Sequence, residues 1–173
     1  GSMGDSYYSR WWYGDSKLSM LKEAATSFVE KVAQNAQENE VSHRIAVVGF
    51  ASTGNKYSGY KNTGLFVDSK FKDYGDLSSS DYKKALVSAT NNQRTITQAI
   101  NSLDAEGDTY SEYGMEMANK IFANNPVSNN ERHRVVVMFT DGYTAPSGTD
   151  DFKYSMANSA IAKAYETKNT YNA

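Results

Sequence analysis

Two loops of this 173-residue chain carry oxygen-bearing side chains in positions suited to binding a cation. Asp141 directly follows an apolar run at 135–139 and a threonine, and it precedes Gly142, which tolerates a sharp turn. Thr109 lies in a second loop, at 106–111, ahead of a helical pattern. A hydroxyl and a carboxylate that converge on one face are ligands for a hard cation such as Mg²⁺. Both residues are therefore candidate metal ligands.

Each of these residues also has a simpler interpretation. Asp141 could close a turn or cap the next helix without any metal, as many acids at strand ends do. Thr109 could be the N-cap of the helix that follows it, and a threonine can cap a helix and still bind a cation. The spacing alone does not separate these roles, so both interpretations stay open at this point.

Two apolar segments predict the strands that would position such a site. The run at 134–140 indicates a strand buried on both faces, which is typical of a parallel sheet covered by helices. The segment 44–50 predicts a second buried strand, and 64–67 a short third one. In open α/β sheets, ligands lie at the carboxyl ends of the strands. Asp141 would then stand where a site belongs.

Helical patterns alternate with these strands, so the default architecture is a parallel α/β sheet in a single domain. Apolar residues recur at helical spacing through 16–38, which predicts a long amphipathic helix. We expect irregular structure at 68–80. Further helices are predicted near 82–89, after Thr95, at 111–124 and at 152–168.

Composition excludes several classes of function. The chain contains no cysteine, so disulfides, zinc–thiolate sites and cysteine nucleophiles are impossible. Its two histidines, His43 and His133, each precede a predicted strand, which gives no support to a histidine-based catalytic triad. No basic stripe indicates nucleic-acid binding, and no apolar run approaches the length of a membrane span. We therefore expect a binding protein rather than an enzyme.

The order of these motifs resembles a von Willebrand factor type A domain, especially those of Gram-positive bacterial surface proteins. Phe139-Thr140-Asp141-Gly142 is similar to the third loop of that family's metal-ion-dependent adhesion site, and the segment 107–114 is similar to the second. The resemblance implies a Rossmann-like parallel sheet flanked by helices. It also implies a bound Mg²⁺, or Mn²⁺ or Ca²⁺ in its place, with Thr109 and Asp141 among the ligands.

The family's first loop, Asp-x-Ser-x-Ser, is where this chain departs from the pattern. Gly1-Ser2-Met3 resembles the end of that loop, which would make Ser2 a third metal ligand; a cloning remnant is the alternative. In either case we expect an incomplete domain spanning 1–173, without the first strand, two of the five ligands and the C-terminal strands. The resemblance then implies unpaired edges on the strands at 44–50 and 134–140, and hence poor stability or association. Metal would be bound weakly or not at all.

The function implied by the resemblance is cell adhesion at an extracellular or cell-wall surface. A protein ligand would supply an acidic side chain to the cation, and aromatic residues near the site, Trp11, Trp12, Tyr110 and Tyr143, would contact that partner. The two tryptophans could instead form a hydrophobic cover over their loop. An intracellular helper subunit of an AAA+ ATPase or metal chelatase is the alternative function, and a Mg²⁺-dependent phosphatase ranks third, because its usual Asp-x-Asp motif is absent.

Overall fold

The computed structural model describes residues 16–51, 63–105, 107–127, 132–140 and 152–173. Within these ranges the chain forms helices and short strands, with one 3₁₀ turn at Tyr74–Asp76. The helices are α1 (Lys17–Glu38), α2 (Ser79–Lys84), α3 (Gln93–Ser102), α4 (Ser111–Asn124) and α5 (Tyr154–Tyr171). The strands are β1 (Arg44–Ile45), β2 (Val48–Gly49), β3 (Gly64–Val67), β4 (Lys70–Asp73) and β5 (Val87–Ser88).

Helix α1 confirms the longest helix predicted from the sequence. Ser16 caps it, because the Ser16 hydroxyl accepts a hydrogen bond of 3.1 Å from the backbone N–H of Ser19. The apolar face of α1 packs against α3, where Ala25 and Val29 meet Ile96 and Ile100 in one buried cluster. Partly buried side chains of the 44–50 segment and of β5 cover the same cluster. The amphipathic pattern therefore predicted both the helix and its buried face.

The remaining helix predictions hold with shifted ends. Helix α4 has the predicted bounds, whereas α5 continues to Tyr171 beyond the predicted end near Lys168. Helix α2 begins at Ser79 and ends at Lys84, so the helix predicted near 82–89 is wrong beyond Lys84, where Val87–Ser88 form β5. Within the described ranges, no helix is long and apolar enough to cross a membrane.

The strands form two small sheets. β1 pairs with β5, and β2, β3 and β4 form a three-stranded sheet in that order. The segment 44–50, predicted as one strand, is divided between the two sheets, since β1 and β2 pair with different partners. The prediction of irregular structure at 68–80 is wrong, because β4 and α2 lie there.

Every strand pairing in the described part of the chain is antiparallel, so the predicted parallel sheet is not observed there. The connection between β3 and β4 shows one reason. It consists of Asp68 and Ser69 alone, and a two-residue connection permits only an antiparallel hairpin.

The prediction of a buried strand at 134–140 is wrong for this structure. Residues 132–140 form neither helix nor strand. Val135 is 72% exposed and Val137 49%, and the two apolar residues that follow are also exposed. An apolar strand is buried on both faces only where neighbouring strands pair with it and helices cover it. Within the described ranges no strand pairs with this run, so its side chains stay in contact with solvent.

A second buried cluster lies under α4. Leu65, Tyr82 and Met117 form its centre, with Ala85 and Ile121 beside them. Helix α4 therefore joins the three-stranded sheet to α2. Through Met117 and Ile121, this cluster holds the middle and the C-terminal half of α4 against the sheet.

Candidate functional site

The Thr109 loop is attached to the chain that leaves β2. The backbone N–H of Tyr110 donates a hydrogen bond of 3.0 Å to the carbonyl oxygen of Ala51. The N–H of Ala51 in turn donates to the hydroxyl of Thr63 at 2.8 Å, and Thr63 is fully buried. Because Ala51 follows β2 by two residues, Thr109 is held near the carboxyl end of that strand. The sequence predicted a site at the carboxyl ends of parallel strands, and β2 is paired antiparallel, so a site at this position stays a prediction.

A glycine in α4 permits this close attachment. A Cβ atom at Gly114 would lie 2.8 Å from Cδ1 of Phe50, and Gly114 is itself buried. Glycine within a helix costs up to about 1 kcal/mol relative to alanine, so its presence there needs a packing reason. The close approach of α4 to Phe50 is that reason, and it sets the position of the first turn of α4 beside the chain that follows β2.

The structure argues against a capping role for Thr109. Helix α4 begins at Ser111, and Tyr110 occupies the N-cap position without a side-chain capping hydrogen bond. Thr109 is half-buried and lies one residue outside the cap. Its hydroxyl is therefore not the capping group of α4. Helix capping is thus removed as an alternative to metal binding for the role of Thr109.

Tyr110, predicted to contact a partner, belongs to a row of three tyrosine rings in which each ring lies against the next. Its ring lies 6.1 Å from the ring of Tyr113, centroid to centroid. Tyr113 meets the ring of Tyr74 edge-on at 4.9 Å. Tyr110 is half-buried, so part of its ring packs inside the fold and part stays accessible. Contact with a partner through its accessible part stays a prediction.

Glu112 is a residue of this region that sequence reasoning missed. Its Oε2 atom is buried and makes no hydrogen bond among the described residues. Burial raises the pKa of Glu112 above its usual range, because the charged form loses hydration. The sequence offered one weak signal, an acid in the first turn of a helix. A buried oxygen that lacks a partner among the described residues, three positions after Thr109, suits a cation or another donor group at this end of α4.

The other predicted site residues, Ser2, Trp11, Trp12, Asp141 and Tyr143, lie outside the described ranges. The predicted proximity of Thr109, Asp141 and Ser2 therefore stays a prediction. Within those ranges there is no group of three acidic, imidazole or thiol side chains arranged to hold a metal. A cation at this loop would depend on Thr109 together with ligands from the other segments.

A charged network supports α4 behind the loop. Glu116 bonds to Lys120 at 2.8 Å and to Lys163 of α5 at 3.0 Å, and it accepts a hydrogen bond from the hydroxyl of Tyr74. Burial alone would raise the pKa of Glu116, but these three donors outweigh it and lower the pKa to about 2. The network ties α4 to α5 and to the 3₁₀ turn.

Comparison with known protein families agrees with part of the resemblance. Residues 74–144 match the family model of the von Willebrand factor type A domain. The matched stretch contains the Thr109 loop, α4, the apolar run and Asp141. Neither a curated protein nor a solved structure matched the chain. The match supports a von Willebrand A domain and, with it, a protein-interaction module.

Proposed function

We propose that this chain is a divalent-cation-dependent adhesion module of a Gram-positive bacterial surface protein, acting outside the cell and without catalysis. The observation that carries the proposal is the match over residues 74–144, which includes both candidate ligand loops in the expected order. The attachment of Tyr110 to Ala51 supports it further, since it gives the Thr109 loop a defined position beside the chain that follows β2.

The proposed ligands are Thr109, Asp141 and Ser2. They are oxygen donors, which Mg²⁺, Mn²⁺ and Ca²⁺ prefer. A bound cation with only one charged protein ligand keeps positions that a carboxylate of the partner can fill. Thr109 and Ser2 would contribute neutral hydroxyls, so the site would attract an acidic group instead of repelling it.

Recognition of the partner would depend on side chains around the loops. Trp11, Trp12, Tyr110 and Tyr143 supply large amphipathic contact surfaces of the kind enriched at protein interfaces. Tyr110 packs against Tyr113, so its ring is already positioned before a partner binds. A preordered aromatic side chain loses less conformational entropy on binding than a mobile one.

Cation binding can be tested on the 173-residue chain by NMR with Mn²⁺, which reports even weak sites through paramagnetic line broadening. We expect the amide signals of Thr109 and Tyr110 to broaden first, and excess Mg²⁺ to reverse the effect. Asp141→Ala and Thr109→Val should each remove this selective broadening. Asp76→Ala, which changes an exposed acid in the 3₁₀ turn, is the matched control and should leave it unchanged.

Selective broadening that survives Asp141→Ala would exclude Asp141 as a ligand, and uniform broadening would show that this chain holds no cation at the Thr109 loop. Partner binding needs a separate test. Binding to candidate extracellular proteins should be measured with Mg²⁺, with EDTA and with Asp141→Ala. If neither EDTA nor Asp141→Ala changes binding, the metal bridge is wrong and the aromatic residues become the better candidates.

A further inference from the structure

A cavity of about 220 Å³ lies between α3 and strands of both sheets. None of its lining residues belongs to the Thr109 loop. Its walls are about equally polar and apolar. The apolar part comes from α3, β1, β3, β5 and the link between β1 and β2, and includes Ile45, Val47, Phe66, Val87, Ile96 and Ala99. Ile96 and Ala99 are buried, whereas the other four are only half-buried. Apolar side chains therefore line a space that the core does not fill.

Polar side chains surround this cavity. Lys84 forms an ion pair with Asp68 at 2.8 Å, so these two charges compensate each other. Ser69, Asn92 and Thr95 also line the cavity. In the described part of the chain, none of these three side chains makes a hydrogen bond to protein, which leaves three groups able to bond a ligand.

The backbone at Ser69 gives an independent indication of function. Asp68 and Ser69 have φ angles of 50° and 64°, in the left-handed region. Two-residue hairpin turns of this kind usually place glycine at the second position, because a side chain disfavours this conformation. Ser69 is an exposed residue that contributes to the lining of the cavity. A residue held in a disfavoured conformation suggests that its side chain has a role.

We propose that this cavity binds a small uncharged amphipathic molecule, namely an aromatic ring bearing one hydroxyl or amide group. The volume is large enough for a single substituted ring, since benzene fits a cavity of about 150 Å³, and the mixed polar and apolar lining suits an amphipathic molecule. The apolar walls receive the ring, and Thr95, Asn92 and Ser69 bond its polar group. An uncharged molecule is preferred because, among the described lining residues, the only ammonium is that of Lys84, which is already paired with Asp68.

The test uses p-cresol as the probe and the full 173-residue chain labelled at its methyl groups. Titration should shift the methyl signals of Ile45, Val47, Val87 and Ile96 along one common saturable curve. Toluene, which lacks the hydroxyl, should bind roughly 2- to 10-fold more weakly, the loss expected for one hydrogen bond. The absence of saturable shifts, or equal affinity for toluene, would overturn the proposal.

Substitutions assign the binding to this cavity. Thr95→Val keeps the side-chain shape but removes its hydroxyl, and it should weaken p-cresol binding roughly 2- to 10-fold. Thr97→Val, on the same helix but not in the lining, is the matched control and should change nothing. Ala99→Leu should fill the cavity and abolish binding. Undiminished binding to Thr95→Val, or to a folded Ala99→Leu variant, would place the probe elsewhere and overturn the proposal.

Ser69→Gly separates a binding role from a structural one. Glycine suits the left-handed turn better, so this variant should unfold at a higher temperature than the unchanged chain. The same variant should bind p-cresol more weakly, because it loses a hydroxyl from the cavity lining. If Ser69→Gly binds p-cresol as tightly as the unchanged chain, the assigned role of Ser69 is wrong.

Discussion

The guanidinium of Arg134 donates a hydrogen bond of 2.9 Å to the backbone carbonyl oxygen of Tyr171 and lies 5.8 Å from the centre of that residue's ring. A second N–H group of Arg134 donates to the carbonyl of Asn125 at 3.1 Å, and the ring of Phe122 lies 5.3 Å away. Carbonyls at helix C-termini lack partners within the helix and carry partial negative charge. Arg134 therefore joins the ends of α4 and α5 at the start of the apolar run.

We predict that Arg134→Lys destabilises the chain by about 1–2 kcal/mol, because lysine keeps the charge but loses the fork that bonds two carbonyls. Chemical denaturation would measure the change in the free energy of unfolding. Arg94→Lys, at an exposed arginine of α3, is the matched control and should change stability little. Equal effects of the two substitutions would show that the two carbonyl bonds contribute nothing to stability.

Glu116→Gln should destabilise the chain by about 1–3 kcal/mol at pH 7, because it leaves Lys120 and Lys163 without their charged partner. Glu166→Gln, at an exposed acid of α5, is the control and should be close to neutral. Chemical denaturation at pH 7 would measure the free energy of unfolding of both variants. A neutral Glu116→Gln variant would contradict a stabilising role for this network.

The same network predicts how stability depends on pH. The pKa of Glu116 is lowered from 4.5 to about 2, so the folded state holds this proton less readily than the unfolded state. The stabilisation is therefore complete above pH 4.5 and is lost as the pH falls toward about 2. Glu116→Gln should flatten this part of the curve of unfolding free energy against pH. Parallel curves for the variant and the unchanged chain would contradict the assignment.

Gly64→Ala should destabilise the chain by about 1–3 kcal/mol or more, because its Cβ would lie 2.1 Å from the backbone carbonyl oxygen of Lys72. That oxygen belongs to the paired strand β4 and has little freedom to move. Gly114→Ala should cost less, since its nearest neighbour is the Phe50 ring and alanine favours the helix by about 1 kcal/mol. Thermal unfolding of both variants checks the order, and a larger loss for Gly114→Ala would contradict it.

The exposed apolar run should promote association. Val135 and Val137 are largely exposed in a segment rich in β-favouring residues, and such segments pair readily with other chains. The double substitution Val135→Thr and Val137→Thr should shift sedimentation toward monomer without lowering stability. Ile161→Thr, at an exposed isoleucine of α5, is the control. Association that is unchanged by the double substitution would assign it to another surface.

Local patterns predicted most of the helices because each depends on nearby residues. The spacing of Ala25 and Val29 indicated both the existence of α1 and the face that it buries. The pattern around Met115 and Ile121 predicted α4 equally well. Strand pairing depends on distant partners, and an apolar run such as 134–140 indicates a strand only if a partner is present. That prediction failed for this reason.

Some properties of the candidate site were likewise determined by the sequence and others only by the tertiary structure. The sequence by itself determined the types of residue available, with hydroxyls and carboxylates on two loops, no thiols and two histidines, and it determined the order of the loops along the chain. Only the tertiary structure decided that Thr109 lies outside the cap of α4 and that Tyr110 is bonded to Ala51. It also decided that Glu112 holds a buried oxygen with no hydrogen-bond partner among the described residues. The type of each residue alone fixes which chemical groups its side chain carries. Its burial and its hydrogen-bond partners are decided only where segments distant in sequence pack together.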